Sequence, residues 1–265
     1  MSTTPTPPPA GWYPSPDGSA TLHWWDGEQW TAHQRPLTIA TGIAQPVAPA
    51  PSPRDLTRFG HLAASPQILL VVGGLISAVS IGVELFGVAA ITTFIDTDYE
   101  SLDQLSAYDT LTSISSILAA AATIGTAVLW VIWQYRAAEL VSGRTRRTPG
   151  WHVGSWFVPI VSFWFPYQNI SDLWRASHRS VPSWQLPWWL LWLSGGILTQ
   201  VATRIYLAAE DLSVLRSSMW LSAMADLLLL AAAPLGVLVI RGITAAIICE
   251  LQTPTATAIP PTETS

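Results

Sequence analysis

Four stretches of this chain read as long and apolar enough to cross the hydrocarbon of a bilayer, and that reading limits its fold more than any other. A crossing of ~30 Å takes ~20 helical residues at ~1.5 Å each, and residues 67–95 (QILLVVGGLISAVSIGVELFGVAAITTFI) exceed it with one ionisable group. Half of the residues are hydrophobic (50%) and 11% are charged, where soluble domains carry about 25% charge. Such a composition cannot wrap a water-soluble globule. The sequence predicts a mainly α integral membrane protein, a four-helix transmembrane bundle with spans at about 67–95, 112–141, 183–207 and 218–240.

Charge placement orients these spans. Every basic residue is an arginine, and net charge is −5. The loop with Asp96, Asp98, Glu100, Asp103 and Asp109 has no arginine, whereas Arg144, Arg146, Arg147, Arg175 and Arg179 cluster near span ends. Positive charge marks the cytoplasmic side. The first 35 residues show neither the basic leader nor the apolar core of a cleavable signal. A multi-pass plasma-membrane protein with both termini in the cytoplasm is therefore expected. Arg144, Arg146 and Arg147 are expected to engage the anionic inner leaflet at about 1 kcal/mol each. The bilayer is thus the first partner. No basic cluster is interleaved with aromatics, so no nucleic-acid partner is expected. Cys249 is the sole cysteine, which excludes an intrachain disulfide and a multi-cysteine zinc site.

Before the first span the chain changes character. Residues 1–9 and 253–265 have the proline- and threonine-rich composition of disordered segments, and residues 37–64 form a Pro/Ala-rich linker that favours polyproline conformation. Between lead-in and linker, residues 10–36 hold Trp12, Tyr13, Trp25 and Trp30 around the turn signals Pro16-Asp17-Gly18 and Asp26-Gly27. Two or three short antiparallel strands clasped by these aromatics are expected. The motif AGWYPSPDG followed by WWDGEQWTAH resembles the bacterial family called domain of unknown function 2510, with Ser15 and His23-Trp24 departing from its commoner residues. That resemblance implies no activity. The tryptophans read either as staples for a tiny fold or as a groove for an extended or proline-rich peptide, an unknown protein partner.

A second stretch combines aromatics with helix breakers. Residues 151–178 begin WHVGSWFVPIVSFWFPYQNI, where Pro159 and Pro166 obstruct a continuous helix. If residues 151–170 crossed, Arg175, His178 and Arg179 would lie outside, against the charge rule. An interfacial or re-entrant element, with an amphipathic helix at 169–177, obeys it; a fifth span is the alternative. The sequence WQYRAAEL, then PGWHVGSWFVPIVSFWFPYQNISDLWRAS, resembles the bacterial membrane family called domain of unknown function 4328. The carry-over falls on Trp151, Gly154, Trp156, Pro159, Trp164, Pro166, Tyr167, Trp174 and Arg175, while Ser155, Ser162 and Phe165 depart from the pattern. The resemblance implies a multi-span membrane body over about residues 62–252 and no known chemistry.

Ionisable groups inside spans are costly, at least ~2.5 kcal/mol on insertion scales. Glu84 is read as a carboxyl bonded to a neighbouring helix, as part of a proton or ion relay, or as lying near the far interface. Arg204 and Asp226 are read as a pair between the last two spans, as groups hydrated at the interface, or as groups lining a substrate path. No HExxH, GxSxG or phosphate-binding glycine loop is present, and His23, His33, His61, His152 and His178 are scattered. Neither an enzyme nor a cofactor is expected. The favoured function is a membrane-anchored interaction or scaffold protein whose module at 10–36 recruits a partner. The alternative is a small transporter or channel using Glu84 and Asp226, and a homo-oligomer is left open because four spans make a thin bundle.

Overall fold

The computed structural model describes residues 8–15, 21–36, 51–96 and 102–253. Most of the 1–9 lead-in, the 16–18 turn, the 37–50 part of the linker, Asp98 and Glu100, and the tail beyond Thr253 lie outside the described residues. Two units, 1–50 and 51–265, separate by their internal contacts.

The first unit is a three-stranded antiparallel sheet in the order β1 (Gly11–Pro14), β2 (Thr21–Trp25), β3 (Trp30–Pro36). Asp26 makes the turn between β2 and β3: its carboxylate accepts from the backbone N–H of Glu28 (2.8 Å) and Gln29 (2.7 Å), while Gly27 takes φ +108°. Those two bonds hold the Asp26 carboxyl below its ordinary value. Alternation then divides the aromatics between the faces. Trp12 stands opposite Trp24 with ring centroids 5.3 Å apart and Arg35 4.6 Å from the Trp12 ring. Tyr13, Trp25 and His23 gather round Trp30 on the other face, at 6.1, 5.2 and 6.4 Å. The expected clasp is present, with Trp24 as a member the sequence reading left out.

Three helices in the second unit are long and apolar enough to cross a membrane: α1 (Pro53–Asp96), α2 (Leu102–Leu140) and α6 (Leu212–Gln252). Between α2 and α6 lie α3 (Pro149–Gly154), α4 (Phe165–Ala176) and α5 (Gln185–Leu207). The 23-residue α5 has the length of a span, but Trp188, Trp189, Trp192, Gln200 and Arg204 dilute its apolar character.

Helix bounds correct the sequence reading in two places. Residues 53–64 are the start of α1, not linker, because Ser52 and Asp55 form a capping box. The Asp55 carboxylate accepts from the Ser52 N–H at 3.1 Å and hydroxyl at 2.7 Å, Ser52 Oγ accepts from the Asp55 N–H at 3.3 Å, and Pro53 starts the first turn. Asp103 and Asp109 lie on α2, which begins at Leu102. At ~1.5 Å per residue, α1, α2 and α6 are each about 60 Å long, twice the hydrocarbon thickness.

The helices run antiparallel to their neighbours. On α1, Gly87 lies under the Tyr108 ring and Leu69 reaches Gly125, which sets the α1–α2 register. Gly74 faces Ala233 and Leu230, and Leu70 faces Gly236, which sets α1 against α6; Gly195 against Leu229 and Trp188 against Gly236 do the same for α5 and α6. Small residues bring these backbones close, as helices in lipid require. Large apolar side chains remain on the outside of every long helix, among them Leu75, Val79, Ile114, Ile117, Ile124, Leu227 and Leu238. In water that surface would aggregate; in lipid it is solvated.

Candidate functional site

The family-motif residues converge at one end of the body, where α2 ends, α6 ends, α5 begins and α3 and α4 fold across. Gly143, at φ +82°, turns the chain out of α2, and the arginines that follow are aimed back into the protein. Arg144 pairs with Glu250 at the end of α6, and His178 Nε2 lies 3.4 Å from the same carboxylate. Arg146 grips Asp172 through Nε (2.9 and 3.0 Å) and Nη2 (2.8 Å). Arg147 donates to Asn169 Oδ1 (3.1 Å) and Gln168 Oε1 (2.7 Å), and its guanidinium lies 3.9 Å from the Phe165 ring centroid. All three arginines expected to lie on lipid thus hold intrachain partners. Phe165 thereby adds a cation–π contact to Arg147's two hydrogen bonds.

Asp172 is the pivot of this arrangement. Its side chain is 4% exposed, and Arg175 approaches it at 3.5 Å from one turn along α4. Asn169, also buried, donates to the Trp151 carbonyl (3.2 Å) and the Ser155 hydroxyl (3.0 Å), tying α4 to α3. Gln185 donates to Ser171 Oγ (2.8 Å) and the Tyr167 carbonyl (3.3 Å), tying α5 to α4. Asp172, Asn169 and Gln185 each bind one segment of the chain to another.

Tryptophans fill the space between. The Gln134 carbonyl accepts from both Trp130 Nε1 (3.0 Å) and Trp156 Nε1 (2.9 Å), and Trp133 donates to Thr244 at 3.0 Å. Trp130 stacks on Trp188 at 5.7 Å, Trp156 meets Trp189 and Trp192 edge-on at 5.9 and 5.5 Å, and Tyr167 lies 6.4 Å from Trp189. Trp174 presses its ring on the backbone of Gly242 and meets Trp184 at 6.5 Å. Pro166 is buried in the first turn of α4, where its missing N–H is harmless. Beneath them His152 is fully buried with both ring nitrogens unpartnered among the described residues. Burial lowers its pKa to about 4; Asp172 opposes that shift and Arg147 adds to it.

The remaining motif residues face outward. Trp151, Pro159 and Trp164 are exposed, and Gly154 closes α3. Residues 151–170 therefore form no continuous helix: α3, a single 3-10 turn at Val161–Phe163 and the start of α4 follow one another, and α4 begins four residues before the amphipathic helix expected at 169–177. Phe157, Ile160 and Phe163 make an exposed apolar tip, with Ile160 at φ +51°, a region β-branched residues seldom enter.

Deeper in the body, Tyr108 on α2 donates to Glu84 Oε2 at 3.0 Å. Asp226 on α6 and Ser77 on α1 lie in the same neighbourhood. Glu84 thus holds a hydrogen bond to a neighbouring helix. Arg204 makes no ion pair with Asp226; among the described residues it has no polar partner and lines a groove along α5. Asp172, Asn169, Gln134, Gln185 and His152 were missed as site residues. Asp172 three residues before Arg175, and Gln134 alone between apolar residues, were the available signals.

The family described as Domain of unknown function (DUF4328) matches residues 96–245, more than half of the chain, and the one described as Protein of unknown function (DUF2510) matches residues 10–53. The second match reaches from the sheet to the first residue of α1. No curated protein and no solved structure matches.

Proposed function

This chain belongs to the family described as Domain of unknown function (DUF4328), and on that premise we propose that it is a membrane-anchored scaffold: a rigid, tryptophan-packed platform that carries a tethered aromatic recognition module. One observation carries the reading. Arg144, Arg146, Arg147, Asn169, Asp172 and Gln185 of the motif region are held by partners within the chain, as the parts of a structural platform are. The module, in contrast, presents Trp30 at 44% exposure beside Tyr13 and Trp25. Exposed aromatics of this kind grip extended or proline-rich peptides.

In this proposal α5 is a fourth crossing. Its antiparallel packing on α6 and its exposed Leu190, Ile197 and Val201 support that reading. The platform then faces the cytoplasm with both termini, Phe157–Phe163 dips into the inner leaflet of the plasma membrane, and the acidic α1–α2 connection lies outside. Cross-linking of the full-length protein in cells, wild type against Trp25→Ala and Trp30→Ala, tests recruitment. Loss of specific partners in the variants is expected, and identical partner sets would remove the module's role.

The Glu84, Tyr108 and Asp226 cluster supports a second reading, a transport path between α1, α2 and α6. Flux through liposomes containing purified protein, compared with Glu84→Gln and Asp226→Asn, decides it; no flux in any of the three eliminates that path.

A further inference from the structure

Along α5 runs an open-sided groove of about 370 Å³ whose walls are Trp192, Ile197 and Val201 on the helix and Trp156 and Phe163 from the re-entrant tip. Its polar groups are Arg204, Gln200 and Ser162. From Trp192 to Arg204 the helix advances ~18 Å at ~1.5 Å per residue. The shape is long, and its character changes from aromatic at Trp192 to cationic at Arg204.

Two features decide what such a groove can hold. A helical arginine points its side chain back toward the N-terminus of its helix, here along the groove, and Arg204 has no ion pair or hydrogen bond among the described residues although it closes a 23-residue apolar helix. Arg204 is exposed in the last turn of α5, where an unpaired guanidinium offers its donors to an anion at headgroup level. The walls, however, offer little else that is polar, so a compact polar solute would leave its remaining groups without partners. Leu190 and Leu207, also exposed, share the groove face of α5 by the helical period.

We propose that this groove binds one anionic phospholipid of the surrounding bilayer, its phosphate on Arg204 and Gln200 and one acyl chain laid between α5 and the Phe163 tip. Arginine suits this position because its planar fork bonds two phosphate oxygens at once. Gly196 lines the groove, and nothing lies within 4 Å of where its Cβ would stand. A side chain added there fills the channel without disturbing the packing of α5 on α6, which Gly195 makes.

Native mass spectrometry of the full-length protein in detergent, with equimolar phosphatidylglycerol and phosphatidylcholine added, tests the assignment. The wild type is expected to retain one phosphatidylglycerol at least five-fold over phosphatidylcholine. Arg204→Gln should bring that ratio near one, and Gly196→Phe should abolish retention of either lipid while Arg204 is still present. Arg216→Gln, an arginine outside the groove, should change neither. An arginine that only reaches for headgroups would bind regardless of the groove, so undiminished retention by Gly196→Phe overturns the proposal. Equal retention of both lipids by the wild type, or a loss in Arg216→Gln as large as in Arg204→Gln, overturns it as well. Should Arg204→Gln fail to fold, retention by Gly196→Phe alone decides between groove and headgroup binding.

Discussion

Removing either partner of the Arg146–Asp172 pair should cost unequal amounts, because the two ends of the bridge stand in different media. The Asp172 carboxylate is 4% exposed, whereas the side chains of Arg146 and Arg175 are 57% and 60% exposed. Arg146→Ala strips the nearest cation from a buried charge, a situation that costs about 3 to 5 kcal/mol when no partner remains. Arg175, at 3.5 Å, offsets part of this, so the double variant Arg146→Ala/Arg175→Ala should reach the upper figure. Asp172→Ala instead releases two guanidinium groups that water re-solvates at once. Its cost is limited to the charge-assisted bonds, about 1.5 to 3 kcal/mol. Denaturant titration of the purified protein in mixed micelles, followed by circular dichroism, measures the order. An Asp172→Ala variant as unstable as the double arginine variant would refute the reasoning, because it would mean the carboxylate is not the buried, penalised end.

Further perturbations probe other parts of the platform. Neutral His152 has a pKa lowered to about 4 by burial, so the unfolded chain binds the extra proton first. Its contribution is complete above pH 6.5 and is lost as pH falls from there to 4, by up to about 1.4 kcal/mol per pH unit; His152→Phe should flatten that slope in pH-dependent unfolding. Gly242→Ala puts a methyl into the Trp174 ring and should destabilise the protein by about 1 to 3 kcal/mol, with a blue-shifted tryptophan emission moving red as the ring is displaced. At Glu84, Gln keeps an acceptor for the Tyr108 hydroxyl and should leave stability nearly unchanged in micelle unfolding, while Leu leaves that buried hydroxyl unpaired at about 1 to 3 kcal/mol.

Much of this architecture follows from properties that a single residue reports. Apolar run length announces α1, α2 and α6, and Asp26-Gly27 announces the turn between β2 and β3, because each depends on local composition. The helix starts at Pro53 and Leu102 are harder to see. A proline-rich or acidic stretch reads as loop until the Ser52–Asp55 capping box is recognised. The platform was legible as a motif but not as a network. Arg144, Arg146 and Arg147 look like lipid anchors when only their own neighbours are read, and their partners Glu250, Asp172 and Asn169 come from 22 to 106 residues away. Sequence separation of that size leaves no periodic trace. Arg204 and Asp226 illustrate the reverse error, since the Gly195–Leu229 and Trp188–Gly236 contacts set a register in which Asp226 is level with about residue 198 of α5, roughly 9 Å along the helix from Arg204.

Sidedness is the foundation of the scaffold reading, and the chain contains its own probe. Cys249 is its only cysteine and is exposed near the end of α6, next to the Arg144–Glu250 pair. A membrane-impermeant maleimide should leave Cys249 unmodified in intact cells and modify it once the membrane is opened, with Glu210→Cys in a Cys249→Ser background showing the opposite pattern. Modification of Cys249 in intact cells would place the platform outside and contradict the account.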